Sequence, residues 1–219
     1  QYHRGTSQKV KISQCSIAMK SIQDIAYKFV QFLGTTEIRA GMLKSMIIRS
    51  SQDGKCIIGL YVKSSDFPAF DFSCPNLVGI NVYYSNPKSP ASIISKVLYR
   101  YGKAHITDQL ISHKYRYTDA GFFQINLEAY QRVLGRLRDY INSKHNPNGK
   151  VIDLYCGVGT IGLEVTPPSV RLLLVESNLA MSDDLRLNAD ANHGGAEVMM
   201  VDANSLQVGE LIQSADTLI

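Results

Sequence analysis

The chain has 219 residues, 45% apolar and 19% charged, with a mean hydropathy of -0.07, which suits a globular protein able to bury one large core or two small ones. No apolar run approaches the ~20 residues that span a bilayer, so a transmembrane helical protein is excluded, and residues 1–13 lack the apolar stretch of a secretory signal. The net charge of +4 conceals a division: residues 1–150 hold 21 Lys+Arg against 9 Asp+Glu, a net of +12, whereas residues 151–219 hold 2 against 10, a net of -8. A basic first part suits a polyanionic partner, because each neutralised phosphate releases condensed counterions.

In chain order, residues 16–33 place Ala18, Ile22, Ile25, Ala26, Phe29 and Leu33 on one helical face, with Gly34 as a stop signal. Two β-rich runs, MLKSMIIRS and KCIIGLYVK, flank the hairpin signal Asp53-Gly54. NLVGINVYY is a third run, and KVLYRYG and HKYRYT are short, basic, tyrosine-rich segments. Residues 1–120 are therefore expected to form an α+β domain with antiparallel strands. Beyond it, Leu127, Tyr130, Val133, Leu134, Leu137 and Ile141 make a helical stripe behind Asn126, a suitable N-cap. From KVIDLY onward strands and helices alternate as far as DTLI, which predicts parallel βαβ units in a doubly wound sheet over residues 121–219.

Asp153-Leu-Tyr-Cys-Gly157-Val-Gly159-Thr160-Ile-Gly162 joins a strand to a helix, and its glycines let backbone approach a nucleotide-like ligand. Glu176, nineteen residues after Gly157, is placed to accept hydrogen bonds from a ribose diol. The same pattern is the dinucleotide fingerprint, so a nicotinamide-dependent oxidoreductase is one reading. S-adenosyl-L-methionine is favoured because Asp153 can face an ammonium group but would repel a pyrophosphate, and the following helix carries Glu164 and no base. Another reading is a non-catalytic RNA-binding module in which the basic part does the work. The scattered Cys15, Cys56, Cys74 and Cys156 form no C-x-x-C pair, and the five histidines have no ligand spacing, so no metal site and a reducing, cytoplasmic setting are expected.

With DLYCGVGT and the upstream Gly121-Phe122-Phe123-Gln124-Ile125-Asn126 both in view, the chain resembles the RNA uracil-5-methyltransferases, which act on tRNA or 23S rRNA. The opening RGTSQKVKISQC is similar to the start of that family's central domain. The resemblance implies a Rossmann-like (class I) methyltransferase domain with an incomplete parallel sheet, preceded by an RNA-contacting α+β domain. It implies that Gln124 contacts the methionine portion of the cofactor, that Tyr155 and Thr160 line the site with Asp153, Gly157 and Gly159, that Glu176 holds the ribose, and that Asp202 approaches the adenine. Cys156 belongs to the cofactor loop in that family, and Cys15 is similar to one ligand of an iron-sulfur cluster whose other ligands have no counterpart here. The family's chemistry adds a cysteine thiolate to uracil C6, so that C5 attacks a methyl sulfonium before a base removes the C5 proton. The motifs for that cysteine and base are expected beyond Ile219, which predicts a C-terminally truncated, inactive fragment with a sheet edge open to self-association.

Overall fold

The computed structural model describes residues 5–6, 12–144, 146 and 148–219, so half of RGTSQKVKISQC, together with His3 and His145, lies outside the described residues. Two compact units divide the chain, Gln1–Ala104 and His105–Ile219.

In the first unit, α1 (Lys20–Gly34) begins later than its apolar spacing predicts. The Gln23 side chain accepts from the Cys15 N–H and donates to the Ala18 carbonyl, holding residues 15–18 as a turn across the helix start. Four strands follow: β1 (Leu43–Ser50), β2 (Cys56–Val62), β3 (Leu77–Tyr84) and β4 (Lys96–Gly102), in that order across one sheet. The β1–β2 hairpin turns at Gly54, whose φ of 82° suits glycine alone. The expectation of an antiparallel sheet holds for β1–β2 and β3–β4, but β2 and β3 run parallel. Residues 63–76 supply the crossover that a parallel pair needs. That crossover is held by Phe67 and Phe70, which join Phe29 of α1 in the core with Ile25, Ile58, Leu60, Ile80 and Val82.

The second unit opens with a hairpin, β5 (Ile106–Gln109) and β6 (Lys114–Tyr117). The expected boundary near residue 120 thus falls inside this unit, because the hairpin is bonded to the unit's helices. Helix α2 (Leu127–Lys144) starts as predicted, with Asn126 Oδ1 accepting from Ala129 N at 3.1 Å. Then come β7 (Lys150–Leu154), α3 (Thr160–Val165), β8 (Arg171–Glu176), α4 (Ser182–Asn192), β9 (Glu197–Met200), α5 (Leu206–Ile212) and β10 (Thr217–Leu218). The strands lie in the order β10-β7-β8-β9, all parallel. Val208, Leu211 and Ile212 of α5 pack on Ile152, Leu173 and Val175. Leu174, on the opposite face, meets α3 at Gly162. A sheet covered on both faces is doubly wound, and its strand order reverses beside β7, where the carboxyl ends open a crevice.

Three buried polar groups tie the hairpin to this layer. Glu164, 3% exposed, accepts from the backbone N–H groups of Ser112 and His113. Arg116 pairs with Asp184 at 2.7 Å. The Asn188 amide accepts from Arg116 N and donates to the carbonyls of Arg116 and Val158.

Candidate functional site

Where β7 and β8 end, the chain turns sharply to enter α3. Tyr155, Gly157 and Gly159 have φ of 56°, 60° and 86°, so three residues of this loop occupy left-handed backbone. Only Tyr155 has a Cβ to strain there, at a cost on the order of 1 kcal/mol. Its ring is 65% exposed and faces the crevice rather than the core. A Cβ at Gly159 would come within 2.8 Å of Leu163, and one at Gly162 within 2.9 Å of Asp153 Oδ2 and of the Leu174 side chain. Gly162 therefore lets α3 settle directly onto the Asp153 carboxylate.

Asp153 consequently lies beneath the loop rather than in its mouth. It is 1% exposed, and Oδ2 accepts from Gly162 N at 2.7 Å. Burial, reinforced by repulsion from Glu176 and opposed by the Gly162 hydrogen bond, pushes its pKa up to about 7. Glu176 sits at the other side of the loop, where Oε2 accepts from Gly157 N at 2.9 Å and Oε1 from Ser177 N and Asn178 N at 2.8 and 2.7 Å. Three of its roughly four lone-pair directions are used in this way, leaving room for one further donor.

The loop forms one wall of a cleft of about 330 Å³. Tyr155, Gly157, Thr160 and Glu176 line it, and so does the exposed Gln124 from the upstream motif. The structure thus brings together five of the sequence-predicted site residues. Gly159 shapes the loop without lining the cleft. Asp202, two residues beyond β9, is exposed and turned to its own loop, where Oδ1 accepts from Asn204 N at 2.8 Å.

Phe122 and Phe123 behave differently from each other. Phe123 is buried and stacks on Tyr117 at 3.9 Å, which anchors the upstream motif to the hairpin, whereas Phe122 is 69% exposed at the cleft. Sequence reasoning missed Tyr130, Asn178 and Met181, which also line the cleft. Helical spacing places Tyr130 in the apolar stripe of α2, yet its hydroxyl lies 2.7 Å from Thr160 Oγ1. A phenol in a stripe of aliphatic residues was the available signal, since a buried hydroxyl needs a partner. Cys156 is buried, and burial together with Asp153 and Glu176 pushes its thiol well above the ordinary range, which suits loop packing and not nucleophilic attack. Among the described residues no group of three or more His, Cys, Asp or Glu could hold a metal ion.

A parallel, doubly wound sheet with a glycine turn after its first strand and a cleft at its switch point defines a Rossmann-like fold of the class I methyltransferase type, here following an α+β unit. The particular likenesses agree. The Pyrococcus abyssi tRNA (uracil-54, C5)-methyltransferase in complex with S-adenosyl-L-homocysteine superimposes with a TM-score of 0.75 at 19% identity, over 94% of this chain and 53% of that one. An uncharacterized RNA methyltransferase of Clostridium tetani is 28% identical over 165 residues, covering 71% of this chain and 36% of the relative. Another from Staphylococcus aureus is 23% identical over 191 residues, covering 84% and 42%. The chain therefore spans between about a third and two fifths of the length of these curated relatives. No family model matches it.

Proposed function

We propose that the second unit binds S-adenosyl-L-methionine in the cleft and that the chain is part of an RNA methyltransferase acting on uracil C5 of tRNA or 23S rRNA. The observation that carries this reading is the meeting of Gln124, brought in by the upstream motif, with the left-handed glycine loop and Glu176 around one cleft. The residues fit such a group. The Cβ position at Gly157 opens onto free space, so ligand atoms can approach its backbone. Glu176 has one acceptor direction left for a ribose hydroxyl, and Gln124 offers an amide to the amino-acid end. Asp153 supports the loop from below, through Gly162. When bound, S-adenosyl-L-methionine supplies an electrophilic methyl group.

Three of the chain's four cysteines are poorly suited to activating uracil. Cys56 is fully buried, Cys156 is held protonated by its surroundings, and burial raises the Cys74 thiol. We therefore expect the isolated chain to bind cofactor without methylating RNA. The basic net charge of residues 1–150 supports an RNA partner. The cytoplasm is the proposed setting, because all four cysteines are unpaired. No helix among the described residues is long and apolar enough to cross a membrane.

Calorimetry with S-adenosylhomocysteine and with NAD separates the proposal from the nicotinamide reading. Saturable one-to-one binding of S-adenosylhomocysteine alone is expected, and binding of NAD in preference to it would reverse the assignment.

A further inference from the structure

The Tyr130 and Thr160 hydroxyls, one from α2 and one from α3, face each other at 2.7 Å and both line the cleft. Two hydroxyls that share one hydrogen bond have one proton left over. Either hydroxyl can donate at this distance; in the arrangement proposed the more acidic phenol donates, Thr160 Oγ1 accepts, and the remaining proton is the one on Thr160. Burial, opposed by the Thr160 hydrogen bond and aided by repulsion from Asp153 and Glu164, keeps the phenol above its ordinary pKa, so it stays protonated throughout the physiological range. Accepting one hydrogen bond also polarises the Thr160 hydroxyl and strengthens the one it gives.

The charge pattern of the cleft says what that donor is for. Among the described residues that line it, Glu176 is the one carboxylate, and no Lys, Arg or His is present. A ligand carboxylate must therefore stay away from Glu176 and be met by neutral donors, which Gln124, Tyr155, Thr160 and Asn178 carry, and of these Asn178 is two residues from Glu176 while Thr160 is the one whose hydroxyl is held by a neighbour. We propose that Tyr130 is a positioning residue that fixes the Thr160 hydroxyl as a donor to the amino-acid carboxylate of the bound cofactor. This rests on the assignment of the cleft to S-adenosyl-L-methionine.

The test compares two ligands by calorimetry on the 219-residue chain: S-adenosylhomocysteine, which has the amino-acid end, and 5′-methylthioadenosine, which lacks it. Tyr130→Phe should weaken S-adenosylhomocysteine binding roughly threefold to tenfold, the range of one hydrogen bond, and leave 5′-methylthioadenosine unchanged. Tyr130→Phe combined with Thr160→Val should bind no more weakly than Thr160→Val alone, and Thr160→Ser should retain most of the affinity. Wild-type affinity in Tyr130→Phe, an equal loss for both ligands, or multiplying losses in the double variant would each overturn the inference. If the wild-type chain binds neither ligand, the assignment of the cleft fails and the inference fails with it.

Discussion

Asp153 and Glu176 are carboxylates on neighbouring strands, yet their surroundings treat them differently. Glu176 collects three backbone N–H groups, while Asp153 has one hydrogen bond from Gly162 and almost no water. An acid whose pKa rises on folding favours the folded state most when protonated. The Asp153 contribution is therefore complete below about pH 4 and is lost as the pH rises through about 7. Asp153→Asn keeps an acceptor for Gly162 N and removes the ionisation. Relative to wild type, the variant should gain about 2–3 kcal/mol on going from pH 5 to pH 8 in denaturant titrations, and a pH-independent difference would contradict this account. The sequence marked Asp153 as important because it ends a strand before a glycine loop. The direction of its side chain was not legible, since it depends on how closely α3 approaches at Gly162. Tyr130 was hidden for the opposite reason, because helical spacing places a residue on a face without saying what its terminal hydroxyl meets.

The alternation of strands and helices from β7 onward was readable because buried parallel strands are continuous apolar runs bounded by turn residues. Strand β5 was not readable: one of its inward residues is Asp108, which accepts from the Tyr117 hydroxyl at 2.6 Å and breaks the apolar alternation. The parallel β2–β3 pairing was hidden as well, because strand patterning does not encode direction when the connection is irregular. The hairpin stays on its unit through side chains of α3 and α4, and Asn188 is the most demanding of these, at 2% exposure with three hydrogen bonds. Asn188→Ala would strand the Arg116 backbone and the Val158 carbonyl of the glycine loop. We expect a loss of about 3 kcal/mol in urea denaturation. A loss below about 1 kcal/mol would mean that these groups find other partners.

Across the whole chain, the charge division and the two units describe one arrangement at different resolutions. Gln1–Ala104 holds 14 Lys+Arg against 5 Asp+Glu, a net of +9, so most of the basic charge sits outside the unit that carries the cleft. A basic α+β unit and a cleft-bearing unit in one chain suit a division of labour in which one part meets a polyanion and the other a small ligand. The second of these roles is the one the cleft geometry addresses. A crystal structure of the chain soaked in S-adenosylhomocysteine tests it directly: the account predicts the ligand across the glycine loop, its ribose at Glu176 and its amino-acid end at Gln124 and Thr160. Ligand bound elsewhere, or no ligand in that cleft at saturating concentration, would contradict it.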